Sequence, residues 1–173
     1  MHDDADDTAG TIDADDAVGF APLTLLAALD RCGARAVVIG QVAGILHGSQ
    51  ELTGDLDLLW AGSAEEAPRF AAAFAEVGAR LFDDDHRPLL VTVDSLSLPK
   101  VLFESAGASG DCCTPHLPWG SLDIVGVLDR AESVTEGGLT VHYASVPDLV
   151  AMRLESARPK DLRRAAELRQ LGG

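Results

Sequence analysis

The segment that decides the fold prediction reads GQVAGILHGSQELTGDLD, from Gly40 to Asp57. It follows a short apolar, β-rich run at residues 36–39, which is typical of a buried strand. A turn bounded by Gly40 then leads into a short helix predicted over residues 42–46, and such a turn exposes backbone N–H groups suited to phosphate. A second strand is predicted over residues 56–60. The segment therefore predicts a strand, a phosphate-compatible turn, a helix and a second strand.

Two aspartates stand at the start of that second strand. Asp55 and Asp57 are two residues apart, and strand alternation places both carboxylates on one face while Leu56 and Leu58 face the core. Two like charges this close are unfavourable unless a cation neutralises them, and hard oxygen ligands suit Mg²⁺. The alternative is a strand edge that carries two solvated aspartates.

The remaining pattern predicts a mixed α/β chain with a small mixed sheet flanked by helices. A Ser63–Glu66 capping box introduces one of the helices. Helices are predicted over residues 21–31, 64–77, 146–154 and 159–171. Strands are predicted over residues 89–93, 101–103, 122–125 and 139–143, and the Gly-, Ser- and Pro-rich residues 107–118 are predicted to form a loop.

Length and charge narrow the classes of function. The chain has 173 residues and a formal charge of −15, which disfavours binding to duplex DNA. Residues 1–17 are acidic and are predicted to be a disordered tail, while residues 18–173 are predicted to form a single domain. No run reaches the roughly 18 apolar residues of a membrane span. Three cysteines fit a reducing compartment, so a cytoplasmic location is expected.

Three ordered stretches resemble the nucleotidyltransferase superfamily, and more narrowly its minimal and AbiEii-type bacterial members. Residues 147–153 with 158–162 are similar to the closing motif of those proteins, and residues 120–126 resemble the strand that carries their third carboxylate. Those proteins often read Gly-Gly-x-Ala, then His-Gly-Ser, then Thr-x-Asp-Leu-Asp. The residues that match this pattern are Gly40, Ala43, His47, Gly48, Ser49, Thr53, Asp55, Leu56 and Asp57.

The resemblance implies a nucleotidyltransferase fold and a magnesium-dependent transferase. Asp55, Asp57 and Asp123 would be the catalytic carboxylates and would hold one or two Mg²⁺ ions. The resemblance also implies binding of a nucleoside triphosphate such as ATP, with contacts from Gly40, Gln41, His47, Gly48, Ser49, Thr53, Arg153 and Lys160. The acceptor would be a hydroxyl group of a small molecule, a tRNA end or a protein. Because AbiEii-type proteins are often toxins, a toxin role with an antitoxin or other protein partner is a further expectation.

Two departures from the pattern keep a second hypothesis open. Gln41 stands where a small residue normally lets the backbone approach phosphate, and Glu51 stands where a basic residue is frequent. These favour a catalytically weakened nucleotide-binding or protein-interaction module on the same fold. His47 is equally well explained as a turn histidine bonded to the backbone. The run from Asp111 to His116 contains two adjacent cysteines, but too few ligands for structural zinc.

Overall fold

The computed structural model describes residues 19–172, which form eight strands and seven helices. The strands are β1 (Val37–Ile39), β2 (Asp57–Leu59), β3 (Arg80–Phe82), β4 (Pro88–Leu89), β5 (Lys100–Ser105), β6 (Ala108–Cys113), β7 (Glu132–Glu136) and β8 (Leu139–Tyr143). The helices are α1 (Leu23–Arg31), α2 (Gly40–Leu46), α3 (Ala67–Glu76), α4 (Val93–Leu96), α5 (Ile124–Asp129), α6 (Val146–Ser156) and α7 (Pro159–Leu171).

All eight strands belong to one mixed sheet in the order β4-β3-β5-β6-β2-β1-β8-β7. Two pairs are parallel, β1 with β8 and β2 with β6, and the other neighbours are antiparallel. In register, Ile39 lies opposite Asp57, and Leu58 lies beside Cys112. The centre of the sheet therefore brings the end of β1, the start of β2 and the middle of β6 together.

One hydrophobic core joins the sheet to the helices. Trp60 is fully buried and stacks on Phe70 of α3 with ring centroids 4.3 Å apart, while Phe74 meets Phe103 of β5 edge to face at 5.3 Å. Helix α1 packs on α3, and the two last helices, α6 and α7, pack on each other. The predicted mixed α/β class, with a sheet flanked by helices, is confirmed.

Most predicted elements of the first half are present, with shifted bounds. The helix predicted over residues 64–77 begins at Ala67, although the Ser63–Glu66 capping contacts do form, with the Glu66 N–H donating to Ser63 Oγ at 3.3 Å. The strand predicted over residues 89–93 is largely wrong. Only Leu89 of that range lies in β4. Thr92 is the N-cap of α4, because its side chain accepts the Ser95 N–H, and Val93 is therefore already helical.

The strand predicted over residues 122–125 is wrong, because this segment starts a helix. Asp123 is the N-cap of α5, and its Oδ1 accepts the Gly126 N–H at 3.1 Å. Ile124, Val127 and Leu128 are buried at helical spacing. A short apolar run fits a strand and a helix equally well until a cap is recognised, and here the cap decides.

The loop predicted over residues 107–118 is also wrong in its first half, which is β6. Along this strand Ala108, Gly110 and Cys112 are buried, while Ser109 and Asp111 are only partly covered. A side chain at Gly110 would collide with the backbone of Leu56, so the glycine allows the two strands to approach. Small residues in this segment, which are typical of a loop, therefore form the buried face of β6.

The acidic tail predicted over residues 1–17 lies outside the described residues. Within residues 19–172, no helix combines the length and apolar character that crossing a bilayer demands.

Candidate active site

A cleft of about 470 Å³ opens where the centre of the sheet meets the last two helices. Its polar wall combines sheet residues with residues of α6 and of the turn that follows it. Its second wall is apolar and comes from residues 117–122 and from α6. The polar side chains and the glycine that matter for chemistry here are Gly40, Asp57, Lys100, Asp111, Cys113, Arg153, Arg158 and Asp161.

Two carboxylates meet in this cleft, Asp57 and Asp111. The parallel register of β2 and β6, with Leu58 beside Cys112, makes Asp57 and Asp111 neighbours across the strands. The Asp111 N–H donates to Asp57 Oδ1 at 3.2 Å, which fixes the Asp57 side chain. Sequence reasoning missed Asp111 as a site residue because it assigned the segment to a loop. The alternation of small buried residues with Ser109 and Asp111 was the signal that could have found it.

Asp55 precedes β2 and lies in an isolated parallel bridge with Ser109. Its N–H donates to Thr53 Oγ1 at 3.2 Å, so Thr53 shapes the turn that leads into the strand. Asp55 is not among the residues that line the cleft. Within residues 19–172, no group of three His, Cys, Asp or Glu side chains lies in an arrangement that would hold a metal ion by itself.

Gly40 lies at the junction of β1 and α2, next to Asp57. Its φ is +69°, a left-handed conformation that side-chain-bearing residues rarely adopt. A Cβ at this position would lie 2.7 Å from Asp57 Oδ2. Position 40 therefore requires glycine for two reasons: the left-handed backbone conformation and the short distance to the Asp57 carboxylate.

Arg153 presents a buried cation to the cleft. The residue is 8% exposed, and its Nη1 donates to Asp161 Oδ1 at 3.3 Å. Its Nε and Nη2 atoms are buried without a hydrogen-bond partner among the described residues. Burial lowers the pKa of Arg153, and the neighbouring Arg164 lowers it further, while Asp161 and Asp57 oppose that shift. The arrangement leaves a desolvated guanidinium with two unpartnered donors in the wall of the cleft.

Asp161 holds this basic region in place. The residue is fully buried, and its carboxylate accepts Ser156 Oγ–H at 2.6 Å and Arg158 Nε–H at 2.7 Å besides the contact from Arg153. Burial by itself would raise the pKa of Asp161, but the hydrogen bonds from Arg158 and Ser156 outweigh it and keep the pKa below its usual value. Asp161 is therefore an ionised anchor rather than a proton donor at neutral pH.

Lys100, at the start of β5, is a further cation that lines the cleft, and sequence reasoning missed it. Its Nζ lies 2.9 Å from Asp84 Oδ1. Burial would lower the pKa of Lys100, but the hydrogen bond to Asp84 and the charge of Asp111 raise it above its usual value. Cys113 also lines the cleft, and burial raises the pKa of its thiol far above the usual range, so it is no thiolate nucleophile near pH 7.

The two departures from the sequence pattern point away from the cleft. Gln41 is buried, and its Nε2 donates to Ser49 Oγ at 2.9 Å and to the Glu51 carbonyl at 2.8 Å. The Glu51 carboxylate pairs with Arg163 at 2.7 Å and Arg164 at 3.2 Å. Burial would raise the pKa of Glu51, but those two arginines lower it overall. Neither the bulk of Gln41 nor the charge of Glu51 occupies the cleft.

Several predicted nucleotide contacts are not brought to the cleft. His47 Nε2 lies 2.8 Å from the Ala144 carbonyl and its ring packs edge-on against Tyr143, which agrees with the turn-histidine alternative. Of the predicted set, Gly40 and Arg153 line the cleft, whereas Gln41, His47, Gly48, Ser49, Thr53 and Lys160 do not.

Asp123 is likewise not brought together with Asp57. It lies at the surface, with its side chain 70% exposed, and pairs with Arg130 of its own helix at 3.2 Å. The bond from the Gly126 N–H lowers its pKa, with Arg130 contributing second. The carboxylate that the structure places beside Asp57 is that of Asp111 on β6.

Comparison with known proteins identifies the fold of this chain. The sequence matches no protein-family model and no curated protein. The structure is similar to a crystal structure of ANT(2")-Ia, an aminoglycoside nucleotidyltransferase, in complex with adenylyl-2"-tobramycin. The TM-score is 0.53 at 15% sequence identity, over 86% of this chain and 90% of the other. The chain therefore has a nucleotidyltransferase fold.

Proposed function

We propose that this chain transfers a nucleoside monophosphate from a nucleoside triphosphate to a hydroxyl acceptor. One observation carries the proposal: Asp57 and Asp111 stand side by side on β2 and β6 in a cleft that also holds the buried Arg153. Carboxylates together with a desolvated guanidinium form a site that suits a metal-bound polyphosphate.

The residues present fit a magnesium ion that is completed by its substrate. Asp57 and Asp111 offer only oxygen ligands, and Gly40 keeps the space beside Asp57 Oδ2 clear of a side chain. Asp55, two residues before Asp57, is the predicted additional ligand. Since the side chains of residues 19–172 alone do not complete a metal site, phosphate oxygens and water would supply the rest, which is usual for Mg²⁺. When bound, Mg²⁺ supplies positive charge at the α-phosphate and at the leaving group.

Two side chains of the cleft, Asp111 and Arg153, act on the acceptor and on the leaving group. Asp111 accepts the proton of the acceptor hydroxyl. The acceptor oxygen then bonds to the α-phosphorus, while the bond from that phosphorus to the bridging oxygen breaks and pyrophosphate leaves. The positive charge of Arg153 stabilises the pyrophosphate as its negative charge grows.

The second hypothesis is a catalytically weakened nucleotide-binding or protein-interaction module on the same fold, and Gln41 and Glu51 are the two features that favour it. Both side chains face interior or α7 partners rather than the cleft, so they give no reason to expect weakened turnover. The acceptor, we propose, is a hydroxylated small molecule, in line with the adenylylated compound bound by the structural neighbour. A tRNA end or a protein acceptor, and the toxin role with a cognate antitoxin, stay as predictions of the sequence.

Two measurements test the proposal. Calorimetric titration with ATP, GTP, CTP and UTP in the presence of Mg²⁺ should give magnesium-dependent binding to the wild type and none to Asp57→Ala. Asp94→Ala, an exposed acidic residue of α4, is the matched control and should bind like the wild type. Incubation with α-labelled nucleotide and pooled hydroxylated acceptors should then transfer label and release pyrophosphate. Binding that persists in Asp57→Ala would contradict the proposed site.

A further inference from the structure

The apolar wall of the cleft is built around one partly buried indole, that of Trp119. Leu117 and Leu122 stand on either side of it in the segment between β6 and α5, and Met152 of α6 completes this wall. The other tryptophan of the chain, Trp60, is fully buried in the core. Trp119 is therefore the tryptophan that a ligand in the cleft can reach.

Hydrogen bonds hold Trp119 and the segment around it in position. Its Nε1 donates to the Thr114 carbonyl at 2.9 Å, and the Thr114 N–H itself donates to Pro99 at 2.9 Å. Farther along the segment, the Ser121 N–H and hydroxyl donate to the Glu155 carboxylate of α6 at 3.3 and 3.0 Å. An aromatic side chain held in this way loses little conformational freedom when a ligand covers it.

Helix α6 contributes one of its faces to the cleft. Leu149, Met152, Arg153 and Ser156 all line it, and their spacing of three and four residues is that of one helix face. Helix α6 therefore presents an apolar side chain, Met152, and a cation, Arg153, to the same cleft. Because Met152 and Trp119 line the same cleft as Arg153 and Asp57, a ligand that binds its phosphates at Arg153 and Asp57 has an apolar wall within that cleft for a flat group.

We propose that Trp119 is the stacking platform for the nucleobase, and that the cleft prefers purine to pyrimidine nucleoside triphosphates. The proposal rests on the proposed nucleotidyl transfer and adds the subsite that holds the base. Stacking needs only the π-face that every base has, so preference follows stacking strength, and the larger purine ring system covers more of the indole.

Intrinsic fluorescence and calorimetry together test this subsite, with Mg·ATP, Mg·CTP and Mg·tripolyphosphate as probes. ATP should quench the emission of the wild type in a saturable way and leave that of Trp119→Leu unchanged, because the remaining Trp60 is buried. Trp119→Leu should weaken ATP binding about tenfold, while tripolyphosphate binding is unchanged. Trp119→Phe, which keeps an aromatic face, should retain most of the affinity for ATP.

Each contrary result has a distinct meaning. Wild-type ATP affinity in Trp119→Leu would overturn the stacking subsite, and so would an equal loss for ATP and tripolyphosphate, because the latter marks a disturbed phosphate site. CTP binding as tight as ATP binding would overturn the purine preference. In all of these cases magnesium-dependent phosphate binding still supports the proposed function. No binding of any probe by the wild type would overturn both proposals.

Discussion

Replacing Gly40 by alanine tests how closely the backbone approaches the site. The new Cβ would lie 2.7 Å from Asp57 Oδ2, whereas ordinary contacts begin at 3.4 Å, so the carboxylate has to retreat by about 0.7 Å. The substitution also forces a side chain into a left-handed conformation with φ of +69°. We expect it to lower both the stability of the chain and its magnesium-dependent activity.

Two costs add up at Gly40. The left-handed backbone costs about 1–2 kcal/mol for a residue with a Cβ. Displacing Asp57 weakens its hydrogen bond from the Asp111 N–H, which contributes about 1 kcal/mol. The free energy of unfolding should thus fall by about 2–3 kcal/mol. A shift of this size in a catalytic carboxylate should also cut transfer by roughly a hundredfold.

Gly78 supplies the matched control. Its φ is +66°, nearly that of Gly40, but a Cβ there would meet nothing within 4 Å. Gly78→Ala should therefore lose only the backbone contribution, and its nucleotide binding and transfer should equal those of the wild type. Urea unfolding gives the free energies, and calorimetry with labelled transfer gives the function. If Gly40→Ala matched Gly78→Ala in both respects, the close approach to Asp57 would be irrelevant.

Three further substitutions test separate parts of the account. Asp161→Asn removes the buried partner of Arg153 and should lower the free energy of unfolding at pH 7 by about 3 kcal/mol in urea titrations. The pKa of Asp161 is lowered in the folded chain, so the stabilisation from its charge is complete above about pH 4 and is lost as the pH falls through the folded value. Asp161→Asn lacks this charge at every pH. Its free energy of unfolding should therefore fall less than that of the wild type when the pH is lowered below about 4. Gln41→Ala should cost about 2 kcal/mol through its two lost hydrogen bonds, one of them to Ser49, yet leave nucleotide affinity unchanged; weakened affinity would return Gln41 to the site. If the chain is a toxin, growth should slow on expression of the wild type and not of Asp57→Ala, and equal growth would remove that role.

Local patterns predicted the two strands, β1 and β2, that border the cleft. Residues 36–39 and 56–60 are short runs whose apolar character and flanking glycines identify strands, and the structure has β1 and β2 there. Gly40 and Asp57 followed from the same stretch, because turn chemistry and strand alternation are encoded within a few residues.

The rest of the site depends on contacts between distant residues. Asp111 lies beside Asp57 only because of the register of β2 with β6. Position 110 of β6 requires a glycine because the backbone of Leu56 lies too close for a side chain. Asp123 was assigned to a strand since a short apolar run does not distinguish strand from helix. The inward turn of Gln41 depends on the loop that returns past it, which no local pattern describes.

The most direct test of the central claim compares Asp111→Asn with Asp123→Asn, two isosteric changes of aspartates that are twelve residues apart in the sequence. Calorimetric titration with a nucleoside triphosphate and Mg²⁺, followed by the labelled transfer assay, should show that Asp111→Asn loses magnesium-dependent binding and transfer. Asp123→Asn, whose carboxylate caps α5 at the surface, should behave like the wild type in both assays. The opposite result, with Asp111→Asn active and Asp123→Asn inactive, would contradict the assignment of the site to β2 and β6.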